Sequence, residues 1–231
     1  MSPTAHLLIG AVLFYGGHVL LAAAPIRPRL AARLGQRGFA MVYSSVALLG
    51  LVWLGYGYAV APRQRWWGGP DLAAAPLVLM APATVLIVGA FSQRNPTVVG
   101  QSKALGAEAA RGILAVTRHP FLWAVAFWAL GHLVVNGDLP SLVLFGGMLA
   151  LALLGTAEID RKSRQRDPAG WAAFAARSSN LPFAAIAAGR NRLRWAEIGW
   201  WRFTLAALLY AALIGAHAPV IGCSPIGAFA K

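Results

Sequence analysis

Residues 117–138 read TRHPFLWAVAFWALGHLVVNGD, and the fold turns on what this stretch is. An Arg-His-Pro cluster opens it, a tryptophan-rich apolar run follows, His132 stands near the far end, and Asn136-Gly137-Asp138 closes it. Proline suits the first turn of a helix, where its missing N–H leaves no bond unmade, and Gly137-Asp138-Leu139-Pro140 reads as a tight turn. The run between them is a helix of membrane-crossing length, since about 20 residues at 1.5 Å each match some 30 Å of hydrocarbon.

The rest of the chain repeats that pattern. Hydrophobic residues make up 58% of the 231 and charged residues 12%, yet the formal charge is +13. A soluble domain carries about 25% charged residues, so the groups that keep a surface wet are depleted. The depletion is localised: apolar runs alternate with short segments that hold the arginines. That is the pattern of an all-α, polytopic helical membrane bundle. It excludes a basic nucleic-acid-binding domain, whose charge would cover one face of a soluble fold. Six spans are expected, over residues 5–24, 39–61, 74–92, 119–136, 140–157 and 203–221, the third interrupted by Pro76 and Pro82, which neighbouring helices can accommodate. The first is a retained helix and not a signal peptide, because no Lys or Arg precedes Arg27 and no polar domain follows it. With neither a repeat nor a low-complexity linker, residues 1–231 are expected to form a single domain.

Arg27, Arg29, Arg33 and Arg37 fall in the first loop, Arg94, Lys103, Arg111 and Arg118 in the third, and Arg161 through Arg202 in the fifth. Of the 20 basic residues, only Arg63, Arg65 and Lys231 lie on the other side. Positive loops stay in the cytoplasm, so both termini are expected outside and the long basic loop 158–202 inside. That loop contains a helix over 159–177 with Trp171 and Phe174, and an interfacial segment over 193–201. Anionic membrane lipids are the partners its charge implies.

His18, His119, His132 and His217 fall inside or at the ends of spans. Ionisable groups at membrane depth are either functional or hydrogen-bond between helices. His6, near the outer surface, reads as solvated. A structural zinc site needs four ligands, and the one cysteine, Cys223, offers neither a disulfide nor a thiolate site. A proton relay needs buried carboxylates, but Asp138, Glu158 and Asp160 sit at span ends. A haem iron needs only one or two imidazoles and an apolar slot. Trp128, Phe127, Leu130 and Val134 can line such a slot, and Gly16, Gly17 and Gly131 would let a flat macrocycle approach a helix closely. At the cytoplasmic mouth, Arg118, His119 and Glu158 form a second constellation. There Arg118 either grips a carboxylate or phosphate ligand or ion-pairs with Glu158 to fix two helix ends.

These residues resemble the NnrU family, membrane proteins associated with bacterial denitrification. The resemblance rests on Gly17-His18 with the arginines after it, Gly35-Gln36-Arg37-Gly38 with Tyr43, the 117–138 stretch, Leu181-Pro182-Phe183-Ala184-Ala185-Ile186 with Gly189-Arg190, and Gly199-Trp200-Trp201-Arg202. It implies a multi-pass protein of the bacterial inner membrane serving nitrite and nitric oxide metabolism. The pattern is also similar to the zeta-carotene isomerase of plants, which implies haem b ligated by His18 and His132, flanked by Gly17, Gly131 and Trp128. Ala129 stands where that enzyme has a cysteine. Depth in the membrane would rather pair His132 with His217 or His6, and His217 is the reserve ligand. A distant similarity to integral membrane methyltransferases would place S-adenosylmethionine at Arg118, His119 and Glu158. Three readings therefore stand open: a haem protein, a membrane enzyme of isomerase or methyltransferase type, and a non-catalytic assembly factor for a respiratory or denitrification membrane complex.

Overall fold

The first and second long helices meet backbone to backbone. A Cβ on Gly10 would stand 2.6 Å from the Leu54 Cα, one on Gly50 2.7 Å from the Phe14 nitrogen, and one on Gly57 2.5 Å from the Leu7 nitrogen. Apolar helices in lipid gain little by hiding from water, so close packing through small residues is what joins them. The computed structural model describes residues 1–23, 25–97 and 105–226. Lys103, Lys231 and the expected end of the first span at Ala24 lie outside those residues.

The long elements are α1 (Pro3–Ala22), α2 (Ile26–Val60), α3 (Ala74–Ser92), α4 (Pro120–Val135), α5 (Leu139–Arg166), α6 (Pro168–Arg177) and α7 (Trp200–Ile221). Each of the six expected spans overlaps one of these helices, α2 beginning well before residue 39 and α5 running on past residue 157. Five are long and apolar enough to cross a membrane, α3 with the turn Pro70–Leu72 before it. The sixth, α4, is apolar but only 16 residues long, or about 24 Å. The protein is an all-α multi-pass membrane protein.

The chain forms two compact units, Met1–Gly69 with Asn136–Met148, and Pro70–Val135 with Leu149–Lys231. In the first, α1 is capped by Ser2 and packs along α2, which turns sharply at Gly35 (φ 71°, ψ 166°). A positive φ with ψ near 180° is a region almost confined to glycine and costs other residues about 1–3 kcal/mol, which explains glycine there. A two-residue antiparallel pairing joins β1 (Trp67–Gly68) to β2 (Asn136–Gly137). Beside it Asp138 caps α5 through the Ser141 N–H (2.8 Å) and takes Arg63 at 3.1 Å. Both α1 and α5 widen into a single π-turn, at Val12–Gly16 and Leu142–Gly146, and each π-turn ends at a Gly-Gly pair.

In the second unit, α3 packs along both α4 and α7. Its core gathers Leu86, Ala83, Ile113, Leu114, Val116 and Ala124. The helix expected over 159–177 is divided between the end of α5 and α6, broken at Asp167, and Trp171 and Phe174 of α6 are buried.

Candidate functional site

His119 is the most deeply buried of the histidines, with a fully enclosed side chain. Its Nε2–H donates to Asp160 Oδ1 at 2.5 Å, while Nδ1 has no hydrogen-bond partner among the described residues. An imidazolium would bury a second N–H without an acceptor, so the arrangement favours the neutral ring with its proton on Nε2. Arg118 forks onto the same carboxylate, Nε to Oδ2 at 3.0 Å and Nη2 to Oδ2 at 2.7 Å, and lies over the Trp171 ring.

Around this pair the backbone is stitched shut. The Arg118 N–H donates to Ser179 O, the Phe183 N–H to Val116 O, and the Thr117 hydroxyl to Asn180 O at 2.6 Å. Asn180 in turn accepts from Trp123 and donates to Thr156. One correction to the sequence reading follows. Glu158 is not part of this cluster: its carboxylate is taken by Arg161 (2.7 Å) and Lys162 (3.0 Å) on the exposed side of α5. Asp160 holds the place expected for it.

His18 and His132 sit in twin settings. Each follows a glycine on a helix, and each donates from Nδ1 to the carbonyl four residues back, Phe14 and Trp128, both at 2.8 Å. Each also packs beside the ring of that residue, at 4.5 and 5.4 Å between centroids. A proton fixed on Nδ1 leaves the lone pair on Nε2, which is how a helical histidine is prepared to ligate a metal. His18 belongs to the first unit, where Tyr43 stands at its edge. His132 belongs to the second, where the structure brings it together with the reserve ligand His217. Their rings lie 6.4 Å apart and within 18° of parallel, and His217 Nδ1 donates to Cys223 O at 2.7 Å.

Two of the three glycines beside these histidines take part in helix packing. A Cβ on Gly131 would stand 2.8 Å from the Pro76 Cα, and one on Gly17 2.9 Å from Val46 Cγ1. Those two bare faces are met by neighbouring helices, whereas Gly16 has only Val12 of its own helix near it, at 3.9 Å. His6, read as solvated, accepts from the Trp53 indole at 3.2 Å. It borders an apolar groove of about 470 Å³ formed with Leu13, Leu49, Gly50, Trp53 and Tyr56.

Comparison with known proteins places these features in context. The family model described as NnrU protein matches residues 6–225. The 15-cis-zeta-carotene isomerase, chloroplastic, of Zea mays is 32% identical over 82 residues, which is 36% of this chain and 22% of that protein. The Arabidopsis thaliana protein of the same name is 33% identical over 82 residues, with the same shares. The chain thus covers about a fifth of the length of these curated relatives. No solved structure matches it.

Proposed function

The chain belongs to the NnrU family, and from that premise we propose that it is a membrane-embedded haem protein with isomerase-type activity on a lipid-soluble substrate. The observation that carries the reading is the His132 imidazole, held by the Trp128 carbonyl, with a second imidazole, His217, parallel to it. His18, in the same local setting, is the second ligand that the resemblance implies. When bound, haem b supplies a redox-active iron that can engage an unsaturated substrate or nitric oxide.

The protein's own part is positioning. The Nδ1–H bond to the Trp128 carbonyl fixes the His132 ring and makes Nε2 more basic, as an outer partner does for a metal-bound histidine. An extended apolar substrate is supported by the name of the relatives, which act on 15-cis-zeta-carotene. The nitrogen-oxide role shares the same iron and differs only in what reaches it. Placement in a bacterial inner membrane is what the family resemblance suggests, and the arginine distribution supports only the orientation within it. The methyltransferase reading gains nothing from the Arg118 cluster, because the guanidinium is already occupied by Asp160.

Expression with haem supply and an absorption spectrum test the proposal. A Soret band is expected that His132→Ala abolishes, and whichever of His217→Ala or His18→Ala shifts it identifies the second ligand. Absence of the band, or a band unchanged in His132→Ala, overturns haem ligation. Conversion of a 15-cis polyene by the haem-loaded protein, lost in His132→Ala, separates isomerase activity from nitric oxide handling, which would instead appear as a shift of the band on nitric oxide addition.

A further inference from the structure

The basic residues of the second unit do not all dissolve into a general positive surface. Arg111, Arg177, Arg190, Arg192 and Arg194 converge on one polar hollow of about 260 Å³, in which Glu197 is the single carboxylate. The hollow is built and held in shape. The Asn191 amide donates to Ala110 O (2.8 Å) and Arg177 O (2.6 Å), and its Oδ1 accepts the Arg192 N–H (2.8 Å), so one side chain ties three of the walls together.

The charges divide into those already occupied and those that are not. Arg190 is committed to the end of α6, donating from Nη1 to the carbonyls of Ala175, Ala176 and Ser178. Arg194 and the Gly112 N–H share Glu197. Arg111, Arg177 and Arg192 have neither an ion pair nor a side-chain hydrogen bond among the described residues. Bringing three guanidinium groups to one hollow raises its potential and costs self-repulsion, which an anion between them would offset.

We propose that this hollow binds a phosphate group at the membrane surface, carried either by an anionic lipid headgroup or by a soluble phosphate ester. The planar donor fork of arginine matches phosphate oxygens two at a time. Size narrows the class further. The hollow is smaller than the roughly 300–1,000 Å³ pockets that enclose a whole drug-sized ligand, so it takes a phosphate and the few atoms esterified to it, not a nucleotide. Position favours a lipid: Trp195, Trp200 and Trp201 follow the arginines directly and are 54%, 72% and 54% exposed, as tryptophans of an interfacial belt are. This inference is independent of haem.

The test uses the full chain in neutral detergent, with calorimetric titration of three probes: dihexanoylphosphatidylglycerol, glycerol 3-phosphate and inorganic phosphate. Arg177→Gln with Arg192→Gln removes two charges from the hollow, and Arg33→Gln with Arg37→Gln removes two from another loop. Since neither Arg177 nor Arg192 has a side-chain partner to lose, both double variants should melt with the parent protein. Arg192→Lys, which keeps the charge and loses the fork, is the milder second variant. The hollow variant should bind phosphate probes about tenfold more weakly, the remote variant less than about twofold, with Arg192→Lys between. Binding of the lipid without glycerol 3-phosphate identifies the source as lipid, and displacement of the lipid by glycerol 3-phosphate identifies a soluble ester; both uphold the site. Equal weakening in the two double variants, or no binding of any phosphate probe, overturns it.

Discussion

The ring of Tyr15 occupies the space in which a side chain on Gly147 would stand, and its hydroxyl donates to the carbonyls of Leu144 (2.8 Å) and Val143 (3.1 Å). The contact joins the π-turn of α1 to the π-turn of α5. Such turns widen a helix and recur at functional sites. Here one supplies the tyrosine and the other supplies acceptors and a notch. Tyr15→Phe should cost about 0.6–1.5 kcal/mol, the value of one hydrogen bond between helices. Gly147→Ala should cost more, about 1–3 kcal/mol, because the added methyl collides with the ring. The two sites are coupled: in a Tyr15→Ala background, Gly147→Ala should be nearly neutral. Melting temperatures of the four proteins in one detergent measure this, and additive losses would contradict the contact.

Asp160 and Glu158 should separate just as sharply when each is substituted. Arg118 and Asp160 have side chains only 15% and 13% exposed. Removing one partner of a buried pair leaves an uncompensated charge, at about 3–5 kcal/mol. Asp160→Asn should therefore lower the melting temperature strongly, and Glu158→Gln, which loses only surface pairs, should change it by less than about 1 kcal/mol. Equal losses would return Glu158 to the cluster.

That pair also shows where a sequence stops being informative. Both carboxylates were visible at the inner end of α5, but residues two apart on a helix point to opposite sides. Which one meets Arg118 depends on the rotation of the helix, set by packing that no local pattern encodes. The spans themselves were legible because lipid demands long apolar runs, and Asp138 was legible as a turn. The π-turns were signalled only by the Gly16-Gly17 and Gly146-Gly147 pairs. Gly131 misled for the opposite reason: a glycine beside a histidine is equally a notch for a ligand or for a neighbouring helix, and here Pro76 fills it.

Gly35 gives a backbone prediction with an internal control. Its φ of 71° lies in the left-handed region, and no atom stands within 4 Å of a Cβ built on it. The cost of Gly35→Ala is thus purely conformational, about 1–3 kcal/mol. Gly55, inside the same helix with equally open surroundings, should respond the other way: Gly55→Ala should be neutral or stabilising by up to about 1 kcal/mol. Identical responses in thermal unfolding would remove the kink as the explanation.

Asp138 ties stability to acid. It lies between α4 and α5, outside both. Burial pushes its carboxyl up, but the Ser141 hydrogen bonds and the Arg63 guanidinium prevail and hold it below the usual carboxylate range. A depressed folded pKa means that ionised Asp138 stabilises the fold above the unfolded value of about 3.9, and that this contribution fades as pH falls through the folded value. Arg63 is 41% exposed on its side chain, so the ion pair itself is worth at most about 1 kcal/mol. Asn retains the cap and loses the charge. Asp138→Asn should therefore melt slightly below the parent protein at pH 7, and the two curves should converge below the carboxylate range. Asp138→Ala, which loses the cap as well, should remain about 1 kcal/mol lower at every pH. Convergence of the alanine variant with the parent in acid would show that the Ser141 cap contributes nothing and that Arg63 alone holds Asp138.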